Sequence, residues 1–172
     1  MNIFLIGPMG VGKTTIGNHL AYCLNLDFID SDHEIENRAG VTIPMIFEFE
    51  SEIGFRRRER YAINQLTQIN DIVLSTGGGV VLDINNRQHL KRRGYVIYLC
   101  ASVNELLERT SHSHDRPLLQ TGDPREKITN LLKERHPLYK MTADLTIDTT
   151  RKSIHQVIKL IIRHLKNEHI TS

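Results

Sequence analysis

The sequence predicts a single α/β domain, a three-layer sandwich in which helices cover both faces of a parallel sheet. Three observations support this fold class. Five short apolar runs, each of strand length, alternate with segments whose apolar residues recur at helical spacing. A glycine-rich loop joins the first apolar run directly to the first helical segment. The length of 172 residues suits one domain with a full core, and neither a repeat nor a low-complexity linker divides the chain.

The first part of the chain begins with an apolar run over residues 2–6, which stops at a glycine as a buried strand would. The first helix is predicted from apolar residues at helical spacing: Ile16, Leu20, Cys23 and Leu24. A second short strand covers residues 27–29. Thr42 and Pro44 predict the start of a later helix, with the threonine as N-cap and the proline in the first turn. Ser51 is a second N-cap candidate, ahead of a long charged helix.

The second part of the chain repeats the alternation. Apolar runs over residues 72–74, 95–100 and, more weakly, 145–147 predict three further strands. Helices are predicted over about residues 85–93 and 103–109. The last helix is predicted from a single apolar face formed by Ile154, Val157, Ile158, Ile161, Ile162 and Leu165.

The composition excludes several classes of protein. With 40% hydrophobic and 24% charged residues, the chain is not dominated by disorder. A net charge of +2, with no basic block interleaved with aromatic residues, does not indicate a nucleic-acid partner. No apolar run is long enough to span a membrane, and Met1 to Ile6 lack the basic region of a signal peptide. The two cysteines, Cys23 and Cys100, lie in apolar periodic stretches and match no metal-binding spacing. A chain of this size does not need a disulfide framework, so we expect it in the reducing cytoplasm.

The glycine-rich loop is the strongest functional motif. Gly7 to Thr14 reads Gly-Pro-Met-Gly-Val-Gly-Lys-Thr, a full match to the phosphate-binding pattern G-x-x-x-x-G-K-[ST]. In such a loop, backbone N–H groups and the following helix N-terminus hold phosphates. Lys13 would reach the outer phosphates, and the Thr14 hydroxyl would ligate Mg²⁺. Because Lys13 lies on a phosphate loop, we expect it to gain nothing from burial. A glycine-rich turn that contains Lys-Thr by chance is the alternative, and the strand before and helix after the loop disfavour it.

An acidic pair follows the second strand. Asp30 and Asp32 lie at its carboxyl end, where ligands bind in open α/β sheets. A carboxylate there can hold metal-bound water or accept the proton of an attacking hydroxyl group. The alternative is that these aspartates only form a turn and cap the helix at Glu34.

Two classes of nucleotide-binding protein are disfavoured. The chain has no Asn-Lys-x-Asp motif of a GTPase. The apolar run over residues 72–74 is followed by glycines and not by the carboxylate that motor and helicase ATPases place there.

Residues 111–122 form a polar, aperiodic, histidine-rich stretch that we interpret as a mobile lid, because structureless connections of this length usually have a task. Arg116 lies in its middle. Asp123, followed by Pro124, predicts the helix that closes the stretch. His112 and His114 are interpreted as solvated side chains, because two ligands on a loop make a poor metal site.

Six motifs occur in a fixed order over nearly the whole chain: the loop from Gly7 to Thr14, Phe28-Ile29-Asp30-Ser31-Asp32, Phe55-Arg56, Gly77-Gly78-Gly79, Arg116-Pro117-Leu118-Leu119 and Arg135-His136-Pro137-Leu138-Tyr139. This ordered set resembles the shikimate kinase family and is far more specific than a phosphate loop alone. The resemblance implies ATP- and Mg²⁺-dependent phosphorylation of the 3-hydroxyl group of shikimate, a step of chorismate and aromatic amino-acid biosynthesis. It also implies the nucleoside monophosphate kinase fold, with five parallel strands in the order 2-3-1-4-5.

The resemblance implies roles for individual residues. Lys13, Asp32 and Arg116 would be catalytic, with Asp32 binding the substrate hydroxyls and able to take a proton. The nucleotide would be bound by Gly10, Val11, Gly12, Lys13, Thr14, Thr15, Arg109, Arg116 and Arg151. Shikimate would be bound by Asp32, Arg56, Gly77, Gly78, Gly79 and Arg135. Thr14 and Asp30 would hold the metal. Residues 31–60 would form a substrate-binding helical region beside the lid.

The sequence departs from the family pattern in one place. The family usually has Gly-Glu shortly before Phe-Arg, whereas this chain has Ser51-Glu52-Ile53-Gly54 ahead of Phe55. Arg56 stands three residues before Glu59, a spacing that allows the carboxylate to orient the guanidinium. The neighbouring arginines 57, 58 and 60 are interpreted as an exposed charged face.

Two other functions remain open from the residues alone. One is a different small-molecule kinase on the same fold, acting on gluconate or on a nucleoside monophosphate. The other is a non-catalytic module that binds nucleotide without turnover, which would be expected to lack Lys13, Asp32 or Arg116; all three are present. We expect a monomer whose partners are ATP and shikimate, with neither nucleic acid nor membrane among them.

Overall fold

The fold is built on a five-stranded parallel sheet in a computed structural model that describes residues 1–111 and 122–170. The strands are β1 (Asn2–Ile6), β2 (Asp27–Asp30), β3 (Ile72–Ser75), β4 (Tyr95–Cys100) and β5 (Leu145–Asp148). Their order across the sheet is β2-β3-β1-β4-β5, and every pair is parallel. The fold class and strand order given by the sequence and the family resemblance are therefore confirmed.

Seven helices connect and cover the strands in the described part of the chain: α1 (Lys13–Leu24), α2 (Ser31–Ala39), α3 (Ile43–Leu66), α4 (Ile84–Arg93), α5 (Val103–Thr110), α6 (Pro124–Thr142) and α7 (Ile154–Asn167). A short 3₁₀ turn over Val80–Leu82, which the sequence did not reveal, follows the glycine triplet. As predicted, Asp123 caps α6, since its side chain accepts a hydrogen bond from the Arg125 N–H group at 3.0 Å.

The sheet separates two apolar cores. Ile3 and Leu5 of β1 face a cluster with α1 and α7, whereas Phe4 and Ile6 face a second cluster with α3 and α4. All four side chains are fully buried. The central strands thus read as continuous apolar runs because helices cover both faces.

Helix α3 is bent at Ser51. This residue has φ 61° and ψ −177°, outside the helical range, so the helix before it and the helix after it are separate in geometry. The bend brings Glu50 to Arg58, with 2.7 Å between Arg58 Nε and Glu50 Oε2. Eight residues span about 12 Å along a straight helix. Ser51 therefore marks the second helix start that the sequence predicted.

Two local expectations need correction. Cys23 is exposed, because the buried face of α1 is centred on Ile16, Leu20 and Ala21 and leaves Cys23 at its edge near the helix end. Thr42 occupies the N-cap position of α3, but its side chain makes no capping hydrogen bond. The Glu36 carboxylate instead accepts the Ile43 N–H group at 2.9 Å.

The predicted lid lies mostly outside the described residues, which resume at Gly122; Arg116, His112 and His114 belong to the part that is not described. Among the helices of the described ranges, none combines the length and the apolar character needed to cross a membrane.

Candidate functional site

The phosphate loop connects β1 to the N-terminus of α1 at the carboxyl edge of the sheet. Gly7 has φ 145°, and a Cβ atom there would lie 2.2 Å from the Leu99 carbonyl oxygen. Only glycine allows this close approach of loop and strand. Because α1 begins at Lys13, its first N–H groups point into the loop, where they favour an anion. The loop geometry is that of a phosphate site.

Lys13 is buried, with 7% of its surface exposed. Its ammonium group donates hydrogen bonds to the carbonyl oxygens of Gly7 at 2.7 Å and of Pro8 at 2.8 Å. The expectation that Lys13 gains nothing from burial is therefore wrong, because the loop wraps around the side chain and supplies acceptors. The ammonium group lies within the loop, as a phosphate-binding role requires.

Thr14 and Asp30, the two residues assigned to the metal, contact each other. The Thr14 hydroxyl donates to Asp30 Oδ2 at 2.6 Å, while Asp30 Oδ1 accepts the N–H groups of Asp32 and His33 and so caps α2. Asp30 thus performs the capping task considered from the sequence, and its other carboxylate oxygen lies beside the Thr14 hydroxyl. No group of three or more metal-ligating side chains occurs among residues 1–111 and 122–170. One hydroxyl and one carboxylate nevertheless suit Mg²⁺, which is usually held by few protein ligands together with phosphates and water.

A cleft of about 270 Å³ opens beside the phosphate loop. Its walls are formed by Val11, Gly12, Thr15, Ile16, Arg109, Thr149, Lys152, Ile154 and Val157. Arg109 is fixed there, since its guanidinium donates to the Val11 carbonyl oxygen at 2.8 Å and to Glu105 at 3.2 Å. Arg151 does not line the cleft; its backbone N–H group donates to Glu105, and the neighbouring Lys152 forms part of the wall instead. Sequence reasoning missed Lys152.

The glycine triplet forms a surface on which the predicted substrate-binding groups rest. A Cβ atom on Gly77 would lie 2.7 Å from Asp32 Oδ1 and 3.1 Å from Glu59 Oε2. A Cβ atom on Gly79 would lie 2.4 Å from both terminal nitrogens of Arg56. The absence of side chains from the triplet therefore lets acidic groups approach at one end and the Arg56 guanidinium at the other.

Arg135 approaches the middle of the triplet, since its Nη1 atom would be 3.6 Å from a Cβ atom on Gly78. The residue is only 4% exposed, and its Nε atom has no hydrogen-bond partner among the described residues. A buried guanidinium with an unused donor is costly unless an anion completes its hydrogen bonding. Arg56 and Arg135 thus converge on the same small surface from α3 and α6.

Arg56 is held by two carboxylates. Its Nη1 atom lies 3.0 Å from Glu59 Oε1, as the spacing predicted, and its Nη2 atom lies 3.2 Å from Glu52 Oε1. Burial alone would lower the pKa of Arg56, but Glu59 and Glu52 outweigh it and raise the pKa. Arg57, Arg58 and Arg60 are exposed, as expected for a charged outer face.

Glu59 is almost fully buried, at 1% exposure. Desolvation raises its pKa to about 7; the Asp32 charge adds to the rise, and Arg56 and Arg135 oppose it. Its Oε2 atom has no hydrogen-bond partner within the described part of the chain. The sequence indicated the contact with Arg56, but the burial of Glu59 required the three-dimensional packing.

The chain as a whole is similar to known proteins. A family model described as shikimate kinase matches residues 9–166. The shikimate kinase of Methylococcus capsulatus is 55% identical over 161 residues, which cover 94% of this chain and 90% of that protein. The solved structure of shikimate kinase from Acinetobacter baumannii in complex with shikimate has a TM-score of 0.95 and 47% identity to this chain. That match covers 97% of this chain and 93% of the other.

A gluconokinase from Sinorhizobium meliloti is much less similar. Its structure has a TM-score of 0.59 and 14% identity, so it shares the fold alone. Of the kinases considered from the sequence, the shikimate kinases match at high identity over nearly the full chain, whereas the gluconokinase does not.

Proposed function

This chain belongs to the shikimate kinase family, and on that premise we propose that it transfers the γ-phosphoryl group of ATP to the 3-hydroxyl group of shikimate. The products are ADP and shikimate 3-phosphate, and the reaction serves chorismate and aromatic amino-acid biosynthesis. The observation that carries the proposal is the convergence of Arg56 and Arg135 on the glycine triplet, with Asp32 at its other end.

This arrangement suits a small molecule with a carboxylate at one end and hydroxyl groups at the other. Two guanidinium groups provide planar, charge-assisted hydrogen bonds for a carboxylate. Gly78, whose Cβ position is 3.6 Å from Arg135 Nη1, would add its backbone N–H group. Asp32, on the far side of Gly77, accepts hydrogen bonds from the hydroxyl groups. A nucleoside monophosphate would require a base-binding surface that these residues do not provide.

The transfer itself requires few protein groups. The 3-hydroxyl oxygen of shikimate forms a bond to the γ-phosphorus while the bond to the β,γ-bridging oxygen of ATP breaks, and ADP leaves. Asp32 accepts the proton that the hydroxyl group loses. Lys13 and the N–H groups at the start of α1 stabilise charge on the phosphate oxygens, because these donors are fixed before reaction.

Mg²⁺ would be held by Thr14 and, directly or through water, by Asp30, and it would neutralise charge on the phosphates of ATP. The two side chains contact each other at the mouth of the phosphate loop. The Asp30 carboxylate also caps α2, which fixes its orientation. The remaining ligands would be phosphate oxygens and water.

The proposal includes the other expectations drawn from the sequence. The cleft that holds Arg109 would receive the adenosine part of ATP, and Arg116 on the lid would approach the transferring phosphoryl group. The enzyme would act as a monomer in the cytoplasm, with ATP and shikimate as its partners and without contacts to nucleic acid or membrane.

A coupled assay that measures ADP release tests the proposal. Saturable ADP release is expected with ATP, Mg²⁺ and shikimate, but not when gluconate or a nucleoside monophosphate replaces shikimate. Lys13→Met should lower the turnover number by roughly 10²-fold or more, because it removes a fixed cation from the phosphates. ADP release that is equally fast without any acceptor, or faster with gluconate, would overturn the assignment.

A further inference from the structure

Tyr139 connects the arginine-bearing helix α6 to the glycine triplet. Its hydroxyl group donates a hydrogen bond to the Gly78 carbonyl oxygen. The residue lies four positions after Arg135, one helical turn further along the same face, and it is fully buried. Neither periodicity nor any motif role assigned from the sequence singled out this hydroxyl group.

The ring of Tyr139 is fixed independently of its hydroxyl group. It stacks on Tyr98 of β4, with ring centroids 4.8 Å apart and an angle of 29° between the ring planes. The Tyr98 hydroxyl is paired elsewhere, 2.9 Å from His136 Nδ1. The two tyrosines therefore share a stack, while only Tyr139 reaches the triplet.

The hydrogen bond from Tyr139 acts on Gly78, a residue with no side chain that could restrain its backbone. Glycine populates more backbone conformations than any other residue, so holding it in one of them is entropically costly. Its N–H group makes no hydrogen bond to another residue in the described ranges. A hydrogen bond to its carbonyl oxygen restrains the backbone of a residue whose N–H group is left for a ligand.

We propose that Tyr139 is a positioning residue for substrate binding, whose hydroxyl group holds Gly78 in the conformation that presents its N–H group to the substrate carboxylate. The inference rests on the proposed function, since that function supplies the carboxylate. A tyrosine hydroxyl group is already protonated at physiological pH, and desolvation raises the pKa of Tyr139 further, to about 12.

Tyr139→Phe tests the inference, and Tyr98→Phe is the matched control because it removes the other hydroxyl group of the same stack. Titration calorimetry with shikimate alone should show a rise in Kd of about fivefold to tenfold for Tyr139→Phe, the effect of one hydrogen bond. The KM for ATP should stay within about twofold of that of the wild type, as expected for an effect on shikimate binding alone. Tyr98→Phe should bind shikimate like the wild type. Replacement of Tyr139 by 4-aminophenylalanine, which keeps a donor, should restore affinity.

Amide hydrogen exchange in the free protein gives a second measurement that does not depend on shikimate. The Gly78 amide should exchange faster in Tyr139→Phe than in the wild type and in Tyr98→Phe. If the wild type failed to bind shikimate, the proposed function would fall, and the exchange rates would still decide the role of Tyr139. Unchanged exchange and affinity in Tyr139→Phe, or a variant that does not fold, would overturn the inference, since the hydroxyl group would then be idle or needed for folding.

Discussion

The buried Glu59 carboxylate lies one helical turn from Arg56 and pairs with it through only one of its two oxygens, at 3.0 Å. Its other oxygen faces Gly77, which Asp32 of helix α2 also approaches. An ion pair so deeply buried is a poor source of stability, because desolvation offsets the attraction. Glu59 is better understood as a residue that orients Arg56 at a cost to the folded state.

The raised pKa of Glu59 predicts that the difference in stability between the wild type and Glu59→Gln depends on pH. The pKa of Glu59 is raised from 4.5 to about 7, so the folded state retains its proton while the unfolded chain has lost it. Wild-type stability should therefore fall as the pH rises from about 4.5 to about 7, and the fall should level off above pH 7. Glu59→Gln should lack this loss, which amounts to on the order of 3 kcal/mol.

Urea unfolding of both proteins at several pH values between 5 and 8 measures the difference. Glu52→Gln is the control, because Glu52 is the exposed partner of the same arginine. A gap between wild type and Glu59→Gln that stays constant over this range would contradict the prediction.

Arg56→Lys and Arg135→Lys should each raise the KM for shikimate and leave the KM for ATP close to the wild-type value. Lysine keeps the charge but loses the planar pair of donors that fits a carboxylate. Arg58→Lys, on the exposed face of α3, provides a control for the same chemical change. Steady-state kinetics with each substrate varied in turn would measure the two KM values separately. A rise in the KM for ATP alone would refute the assignment of these arginines to shikimate.

Asp32→Asn should lower turnover by roughly 10²-fold or more with a smaller effect on the KM for shikimate, because an amide can hydrogen-bond the hydroxyl groups but cannot accept a proton. Asp27→Asn changes an exposed carboxylate at the other end of β2 and should leave the rate unchanged. A turnover number within twofold of the wild type in Asp32→Asn would rule out a role as base.

Ser51→Gly should stabilise the protein. Ser51 holds φ 61° and ψ −177°, a conformation that is nearly restricted to glycine and costs about 1–3 kcal/mol. Relief of this strain exceeds the added entropy of glycine in the unfolded chain, which is about 0.5–1 kcal/mol. We expect a rise in Tm of about 2–4 °C.

Ser51→Ala should give no such rise, since alanine meets the same backbone strain. Equal melting temperatures for Ser51→Gly and the wild type by calorimetry would show that the bend is not strained.

Much of the fold could be predicted because its signals are local. Strand runs, helix caps and the phosphate loop depend on neighbouring residues, and the position of Asp30 at the ligand-binding edge of the sheet follows from its place at the carboxyl end of a strand. The raised pKa of Glu59 could not be predicted, because it depends on elements distant in sequence.

The place of Lys152 in the wall of the cleft also lay beyond the sequence. Arg151, which precedes it, has φ 57° and is not among the residues that line the cleft. The burial of Lys13 depends in turn on how the loop carbonyl groups close around its ammonium group.

The strand order leaves β2 and β5 at the two edges of the sheet, and each has only four residues. β2 begins and ends with aspartate, and β5 ends with Asp148. Exposed strand edges invite pairing with other chains, and short strands with charged side chains discourage it. The same topology that collects the active groups at one end of the sheet thus limits the row of free backbone groups on which aggregation could begin.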